Sequence, residues 1–112
     1  MKRELMAKIN YDADVDALYV RKVGEPISFS FSIMQNFVLD VDAKRRIVGL
    51  EVLNASKVLN IPKKELEDIK SGNVSTVMSK EIYGARFSLI TSKAKIESQI
   101  ALPASAAFHG RR

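Results

Sequence analysis

The strongest pattern in the chain is the alternation of apolar and polar side chains at every second residue. It is strictest from Ile27 to Ile33, where four large apolar residues alternate with three serines. Alternate side chains of a half-buried β-strand point to the same face, so this pattern predicts strands. Similar alternation occurs at 5–10, 18–21, 37–41, 47–53, 74–78, 83–89 and 94–102. We therefore expect an α+β protein that is mainly β, with about eight short antiparallel strands.

Short polar segments connect these strands. The carboxylate-rich segment 11–16 predicts a first hairpin, and the segment 42–46 predicts a second hairpin between strands at 37–41 and 47–53. Short connections favour antiparallel neighbours, because a parallel pair needs a crossover of about a dozen residues. Gly49 lies inside the second hairpin and is expected to mark a bulge or a close approach of the backbone.

The period changes after Leu53, which predicts one or two short helices near residues 55–70. Asn54 is a suitable N-cap for a helical turn at 55–59. A second, amphipathic helix is expected from about 62 to 70, with Leu66 and Ile69 on one face. Gly72 is placed to end it.

The length of 112 residues fits one domain, which we expect at 1–103. The alternation is lost after Pro103, so the segment 104–112 is interpreted as a flexible tail. No apolar run approaches the roughly 18 residues needed to cross a membrane, and no secretion signal is evident at the start. A cytoplasmic protein without membrane contact is therefore expected.

The composition removes most catalytic chemistries. The chain has no cysteine, which excludes disulfides, thiolate metal sites and cysteine nucleophiles. Its one histidine, His109, lies in the expected tail, where a proton shuttle would be poorly anchored. The five glycines are isolated, so no phosphate-binding loop is present. We expect no enzyme, no catalytic residue and no cofactor.

Asp12, Asp14 and Asp16 form a spaced carboxylate cluster that resembles the start of a calcium loop. The later positions of such a loop are missing, and a metal site would require Asp40 and Asp42 to converge from the neighbouring hairpin. The favoured interpretation is structural, because aspartates at strand ends accept backbone hydrogen bonds that close turns. No metal is expected, although the cluster keeps the alternative open.

The formal net charge of +5 comes from the second half of the chain. Residues 57–112 carry ten basic and five acidic side chains, whereas residues 1–56 carry eight of each. The basic residues are scattered, and Lys44-Arg45-Arg46 is the one triplet. A solvated face is the favoured interpretation, with a nucleic-acid surface as the alternative. Tyr19, next to an outward-facing Arg21, is interpreted as a cross-strand contact rather than a platform for base stacking.

The Phe-Ser strand is the best candidate for an interface. One face carries large apolar side chains and the other carries only small serines, so a further strand or sheet meets little steric resistance. The candidate interface residues are Ile27, Phe29, Phe31, Ile33, Met34 and Phe37. We expect a small interaction module that forms homo-oligomers or binds a protein partner.

Three ordered motifs carry a resemblance to a known family. They are Y-D-x-x-x-D-x-L-Y-[VI] from Tyr11 to Val20, V-L-D-x-D from Val38 to Asp42, and G-[IL]-E-[IV]-L-x-A-S from Gly49 to Ser56. Together they resemble the prokaryotic domain family of unknown function numbered 2283. The I-P-x-x-x-L segment at 61–66 resembles a continuation of the family pattern, although more weakly than the three motifs do.

The resemblance implies a small β-rich protein without assigned catalytic residues. Some members of the family are encoded beside toxin-like genes, which implies an antitoxin-like role and a toxin as a partner. The family assigns no role to its motif residues, so the matching residues of this chain are interpreted as structural. The matching residues of the first motif are Tyr11, Asp12, Asp16, Leu18 and Tyr19. The chain departs from the family pattern by its inserted Ser-Phe-Ser-Phe-Ser strand.

Overall fold

A computed structural model describes residues 7–107, which form eight strands and three four-residue helices. The strands are β1 (Ala7–Asp12), β2 (Ala17–Lys22), β3 (Phe29–Ile33), β4 (Phe37–Val41), β5 (Ile47–Leu53), β6 (Ile69–Met78), β7 (Ile82–Thr91) and β8 (Lys95–Pro103). The helices are α1 (Ala55–Val58), α2 (Lys63–Leu66) and α3 (Ala104–Ala107). The predicted class, mainly β with antiparallel sheets, is confirmed.

The first five strands form one antiparallel sheet, which we call sheet A, in the order β1-β2-β5-β4-β3. Both predicted hairpins are present, as β1–β2 and β4–β5. The connection from β2 to β3 passes two strands, which makes this part of the sheet a Greek key. Arg21 Nη2 donates a hydrogen bond to the Glu25 carbonyl at 2.9 Å, so this connection is tied to the outer face of sheet A.

The last three strands form sheet B, in the order β6-β7-β8. Sheet B contacts sheet A through β6, which lies against β1, β2 and β5. The Ile47 N–H donates to the Thr76 hydroxyl at 2.8 Å and links the two sheets at one corner. At Gly72 the sheets lie so close that a Cβ would be 3.0 Å from Ile9 Cδ1.

The core lies between the inner faces of the two sheets. Its fully buried large side chains are Tyr83, Phe87, Leu18, Leu39, Ile47, Leu50, Leu66, Leu89, Val20, Val41, Val48 and Val52, among which Val48 lies outside the main cluster. Tyr83 stacks on Phe31 with ring centroids 6.4 Å apart. Its hydroxyl donates to the Arg45 carbonyl at 2.7 Å. Tyr83 therefore joins sheet B to both β3 and the β4–β5 turn.

The second helix is shorter than the sequence pattern predicts. It ends at Leu66 rather than near residue 70, and Ile69 already belongs to β6, where it is opposite Thr91. Gly72 lies inside β6 and ends no helix. Leu66 and Ile69 are both directed to the core, so their spacing is compatible either with one longer helix or with a helix that ends at Leu66 and is followed by a strand.

The first helix is confirmed, but its predicted cap is wrong. Asn54 has a left-handed backbone, with φ 54°, and its side chain makes no capping hydrogen bond. Asp16 performs this function instead, because its carboxylate accepts the Ser56 N–H at 3.0 Å. The cap therefore comes from a residue 40 positions earlier in the chain.

The expectation at Gly49 is confirmed. Pairing shifts from Asp40–Gly49 to Val41–Ile47, which leaves Val48 as a bulge. A Cβ at Gly49 would lie 2.5 Å from Asp40 Oδ2, so only glycine leaves room for that carboxylate. In the segment interpreted as a tail, 104–107 form α3, and 108–112, including His109, lie outside the described residues. Within 7–107, no helix has the length and apolarity needed to span a membrane.

Candidate functional site: an open edge strand and three buried aspartates

Among the strands of residues 7–107, β3 lies at the edge of sheet A and is paired with β4 on one side. The Leu53 N–H donates to the Asn36 carbonyl at 2.8 Å, so the even-numbered residues of β4 direct their backbone groups towards β5. Backbone groups alternate sides along an antiparallel strand, so the odd-numbered residues of β4 bond to odd-numbered residues of β3, such as Phe31. Ser30 and Ser32 therefore direct their N–H and C=O groups to the open edge.

The six residues of the candidate interface divide into three groups. Ile33 and Phe37 are each 7% exposed and belong to the core, so they are not available to a partner. Phe29 and Phe31 are half-buried on the inner face, with stacked rings 6.2 Å apart. Ile27 and Met34 flank β3 and are 38% and 63% exposed.

No charged residue occurs between Glu25 and Asp40, the stretch that contains β3. Charged side chains on an edge strand discourage pairing with other chains. The edge strand β8 carries such charges, since Lys95 pairs with Glu97 at 3.4 Å. At the opposite edge of sheet A, β1 includes Lys8 and Asp12. β3 is thus an edge without charged protection.

The first buried aspartate, Asp40, lies on the outer face of sheet A. Tyr19 Oη donates to its Oδ2 at 2.5 Å, and Ser30 Oγ donates to its Oδ1 at 2.6 Å. Burial raises the pKa of Tyr19 to about 12, and the hydrogen bond to Asp40 adds to the shift. Two of the family motifs therefore meet in this contact, and Ser30 ties the edge strand to them.

The second buried aspartate, Asp16, accepts three hydrogen bonds. Its donors are Tyr11 Oη at 2.6 Å, the Ser56 N–H at 3.0 Å and Ser56 Oγ at 2.7 Å. Burial alone would raise the pKa of Asp16, but the bonds from Tyr11 and Ser56 lower it below its ordinary value. Asp16 thus holds the β1–β2 turn to the start of α1.

The third buried aspartate, Asp42, closes the β4–β5 turn. It accepts the Lys44 N–H at 2.9 Å and the Arg46 N–H at 2.8 Å. Its other oxygen forms an ion pair with Arg46 Nε at 2.7 Å. Burial opposes ionisation, yet the hydrogen bonds from Arg46 and Lys44 lower the pKa of Asp42.

The aspartates do not converge as a metal site would require. Asp12 accepts the Asp14 N–H at 2.9 Å, which is a local turn contact. Asp16 and Asp42 lie at opposite ends of sheet A, beside the pairs Ala17–Leu53 and Val41–Ile47. Across residues 7–107, no three metal-ligating side chains are grouped.

The alternation predicted β3 itself but not these hydrogen-bond networks. Two of the networks join residues far apart in sequence, Tyr19 with Asp40 and Asp16 with Ser56, whereas the Asp42 network is local. In the sequence, only the three motifs quoted above single out Tyr19, Asp40, Asp16 and Ser56.

Comparison with known proteins agrees with the resemblance. Residues 8–56 match the family model described as Protein of unknown function (DUF2283). The segment 61–66 lies outside that match. The chain is also 36% identical over 62 residues to Uncharacterized protein MJ0789 of Methanocaldococcus jannaschii.

That alignment covers 55% of this chain and 53% of the archaeal protein, so it spans about half of each. No solved structure matches the chain significantly. The match to the family model coincides with sheet A and the start of α1, and it contains all three buried aspartates. Residues 8–56 of this chain, somewhat less than half of it, are therefore similar to the family of proteins of unknown function DUF2283.

Proposed function

We propose that this protein is a small, non-enzymatic interaction module that associates through β3, with itself or with a protein partner. The observation that carries the proposal is the uncharged open edge, where Ser30 and Ser32 present backbone donors and acceptors. An added strand gains main-chain hydrogen bonds at such an edge, while side-chain pockets supply specificity. The exposed Ile27 and Met34 provide apolar contacts at either end.

The polar networks favour a structural role over catalysis. The carboxylates of Asp16, Asp40 and Asp42 each accept hydrogen bonds at both oxygens. Burial raises the pKa of Tyr11 to about 12, with the Asp16 hydrogen bond adding to it, so this hydroxyl is a poor base at neutral pH. We propose that these groups hold the sheet that presents β3, and that the protein acts in the cytoplasm.

Light scattering at several concentrations tests the proposal. The wild-type protein should show a mass that rises with concentration, and Ser32→Pro should shift it towards the monomer. Proline removes an N–H that faces the open edge, so the β3–β4 ladder is retained. Ser32→Ala is the matched control and should associate like the wild type. Two results together would refute the proposal. The wild-type protein would remain a monomer at every concentration, and it would capture from the native extract no protein whose binding Ser32→Pro abolishes.

A second candidate, a nucleic-acid-linked or antitoxin-like regulator, is favoured by the basic end of sheet A. The charged residues that line a cleft there are Lys22, Arg46 and Glu25, and Lys44 lies in the adjoining turn. Lys22→Glu with Lys44→Glu should weaken binding to DNA or RNA and flatten its salt dependence, while leaving the Arg46–Asp42 pair intact. Absence of binding at low salt would remove this candidate.

A further inference from the structure

We infer that the partner of β3 is a second copy of this chain, paired antiparallel across a two-fold axis at Phe31, with Ser30 opposite Ser32 of the second copy. This inference rests on the proposed function and specifies its partner and register. It would join two five-stranded sheets into one continuous sheet.

The length of free edge limits the possible registers. The Ser28 N–H already donates to the Val41 carbonyl at 2.7 Å, so it is not available to a partner. Met34 has a left-handed backbone, with φ 55°, and begins the turn to β4. Only the backbone between these two residues is both extended and open, and its outward groups belong to Ser30 and Ser32.

The register follows from the number of hydrogen bonds. When Ser30 is opposite Ser32, each of the two residue pairs exchanges both of its backbone bonds. When Ser30 is opposite Ser30, the outer bonds require Ser28, and when Ser32 is opposite Ser32 they require Met34. In the first of these registers the Ser28 N–H is already used, and in the second the left-handed backbone of Met34 leaves the strand, so neither outer pair can exchange both of its bonds. The register centred on Phe31 is therefore the one that forms two complete hydrogen-bonded pairs.

The absence of charge along the β3 edge favours a second copy of this chain over a partner strand that carries charged side chains. The edge is neutral from Pro26 to Leu39, so two copies approach without repulsion between like charges. The side chain of Ser30 is turned towards Asp40, to which it donates, and leaves the edge unobstructed. Pairing also extends the inner face that carries Phe29 and Phe31, so apolar surface at the sheet margin becomes covered.

Disulfide trapping tests the register, since the chain has no native cysteine. Directly opposed residues of this kind lie about 5.5 Å apart at Cα, within the range that a disulfide bridges. Under oxidation, a mixture of Ser30→Cys and Ser32→Cys proteins should give a covalent dimer. Either variant alone should give little covalent dimer, because the cysteines of its two copies would lie two residues apart along the paired strands.

Amide exchange in the wild-type protein provides a measurement that does not depend on a variant. Ser30 and Ser32 should both become protected as concentration rises, whereas Phe31, which already bonds to β4, should change little. Protection or crosslinking confined to Ser30 alone, or to Ser32 alone, overturns this register but leaves the interaction module intact. A protein that captures no partner and remains monomeric removes both proposals.

Discussion

At the scale of single residues, this chain uses buried carboxylates to join segments that are distant in sequence. Asp16 is 9% exposed and connects the β1–β2 turn to α1. Asp40 connects β2 to the edge strand through Tyr19 and Ser30. Removing one partner of such a contact leaves buried polar groups unsatisfied, which costs about 1–3 kcal/mol. These residues therefore stabilise the scaffold on which β3 lies.

Asp16→Asn should lower the free energy of unfolding by about 1–3 kcal/mol at pH 7, because the charged acceptor of three hydrogen bonds is lost. The folded-state pKa of Asp16 lies below its ordinary value of 3.8. Its stabilisation is therefore complete well above pH 4 and disappears as pH falls through the folded-state pKa. Urea unfolding between pH 7 and pH 2 should show the difference between wild type and variant shrinking in acid.

The exposed Asp14 offers a matched control for this measurement. Asp14→Asn should follow the wild-type curve closely at every pH. A gap between wild type and Asp16→Asn that stays constant down to pH 2 would contradict the ionised role assigned to Asp16.

Gly49→Ala should also destabilise the protein, by about 1–3 kcal/mol. The new Cβ would lie 2.5 Å from Asp40 Oδ2 and 3.1 Å from Asp40 Cβ, so the carboxylate must move away from Tyr19. Tyr19→Phe should therefore cost less stability in the Gly49→Ala background than in wild type. A double-mutant cycle by urea unfolding measures this coupling, and additive costs would show that the two positions are independent.

At the scale of elements, the sequence was most informative where one face of an element is buried. Alternation located β3 and both hairpins of sheet A because each strand has one face in the core. For the stretch after Pro62 the predicted helix is too long, because Leu66 and Ile69 satisfy a helical spacing although Leu66 reaches the core from the end of α2 and Ile69 from β6. Pairing of β6 with β7 decides between these structures, and local spacing contains no information about it.

Of the three buried aspartates, Asp16 alone is predicted from the sequence as a turn-closing group, and Asp40 and Asp42 enter only as ligands of the alternative metal site. The partners of all three are missing from that prediction. The contact between Asp42 and Arg46 is local, and a pattern of turn residues could suggest it. The order β2-β5-β4-β3 places Tyr19 next to Asp40, and no periodicity along the chain specifies that order. The edge position of β3, on which the proposed function depends, follows from the same topology.

The buried carboxylate of Asp42 stabilises the β4–β5 turn, although the residues that follow it in the turn are exposed and basic. Asp42→Ala removes the acceptor for two backbone N–H groups and for Arg46 Nε, so the free energy of unfolding should fall by about 1–3 kcal/mol. Asp42→Asn should recover part of this loss, since its carbonyl can still accept. Thermal unfolding of both variants tests the ranking, and equal stability of Asp42→Ala and wild type would contradict it.

At the scale of the whole molecule, the segment that matches the family model is shorter than the unit formed by the two packed sheets. Residues 8–56 form sheet A and the start of α1, but the inner face of sheet A is covered by sheet B. The ring of Tyr83 from β7 packs on Phe31 of the edge strand, and burial raises its pKa to about 12. The edge strand is thus held in position by residues outside the matched segment.

We therefore predict that a fragment of residues 1–60 does not fold alone. Without sheet B, the side chains of Leu18, Leu39 and Leu50, which are fully buried in the whole protein, would face water. Each such side chain loses about 1.5–3 kcal/mol of burial free energy, which is large beside the few kcal/mol available to a domain of this size. Circular dichroism should show a disordered fragment without a cooperative transition, and addition of a fragment of residues 61–112 should restore strand signal. A sharp unfolding transition of the isolated fragment would show instead that sheet A is stable without the cover that sheet B provides.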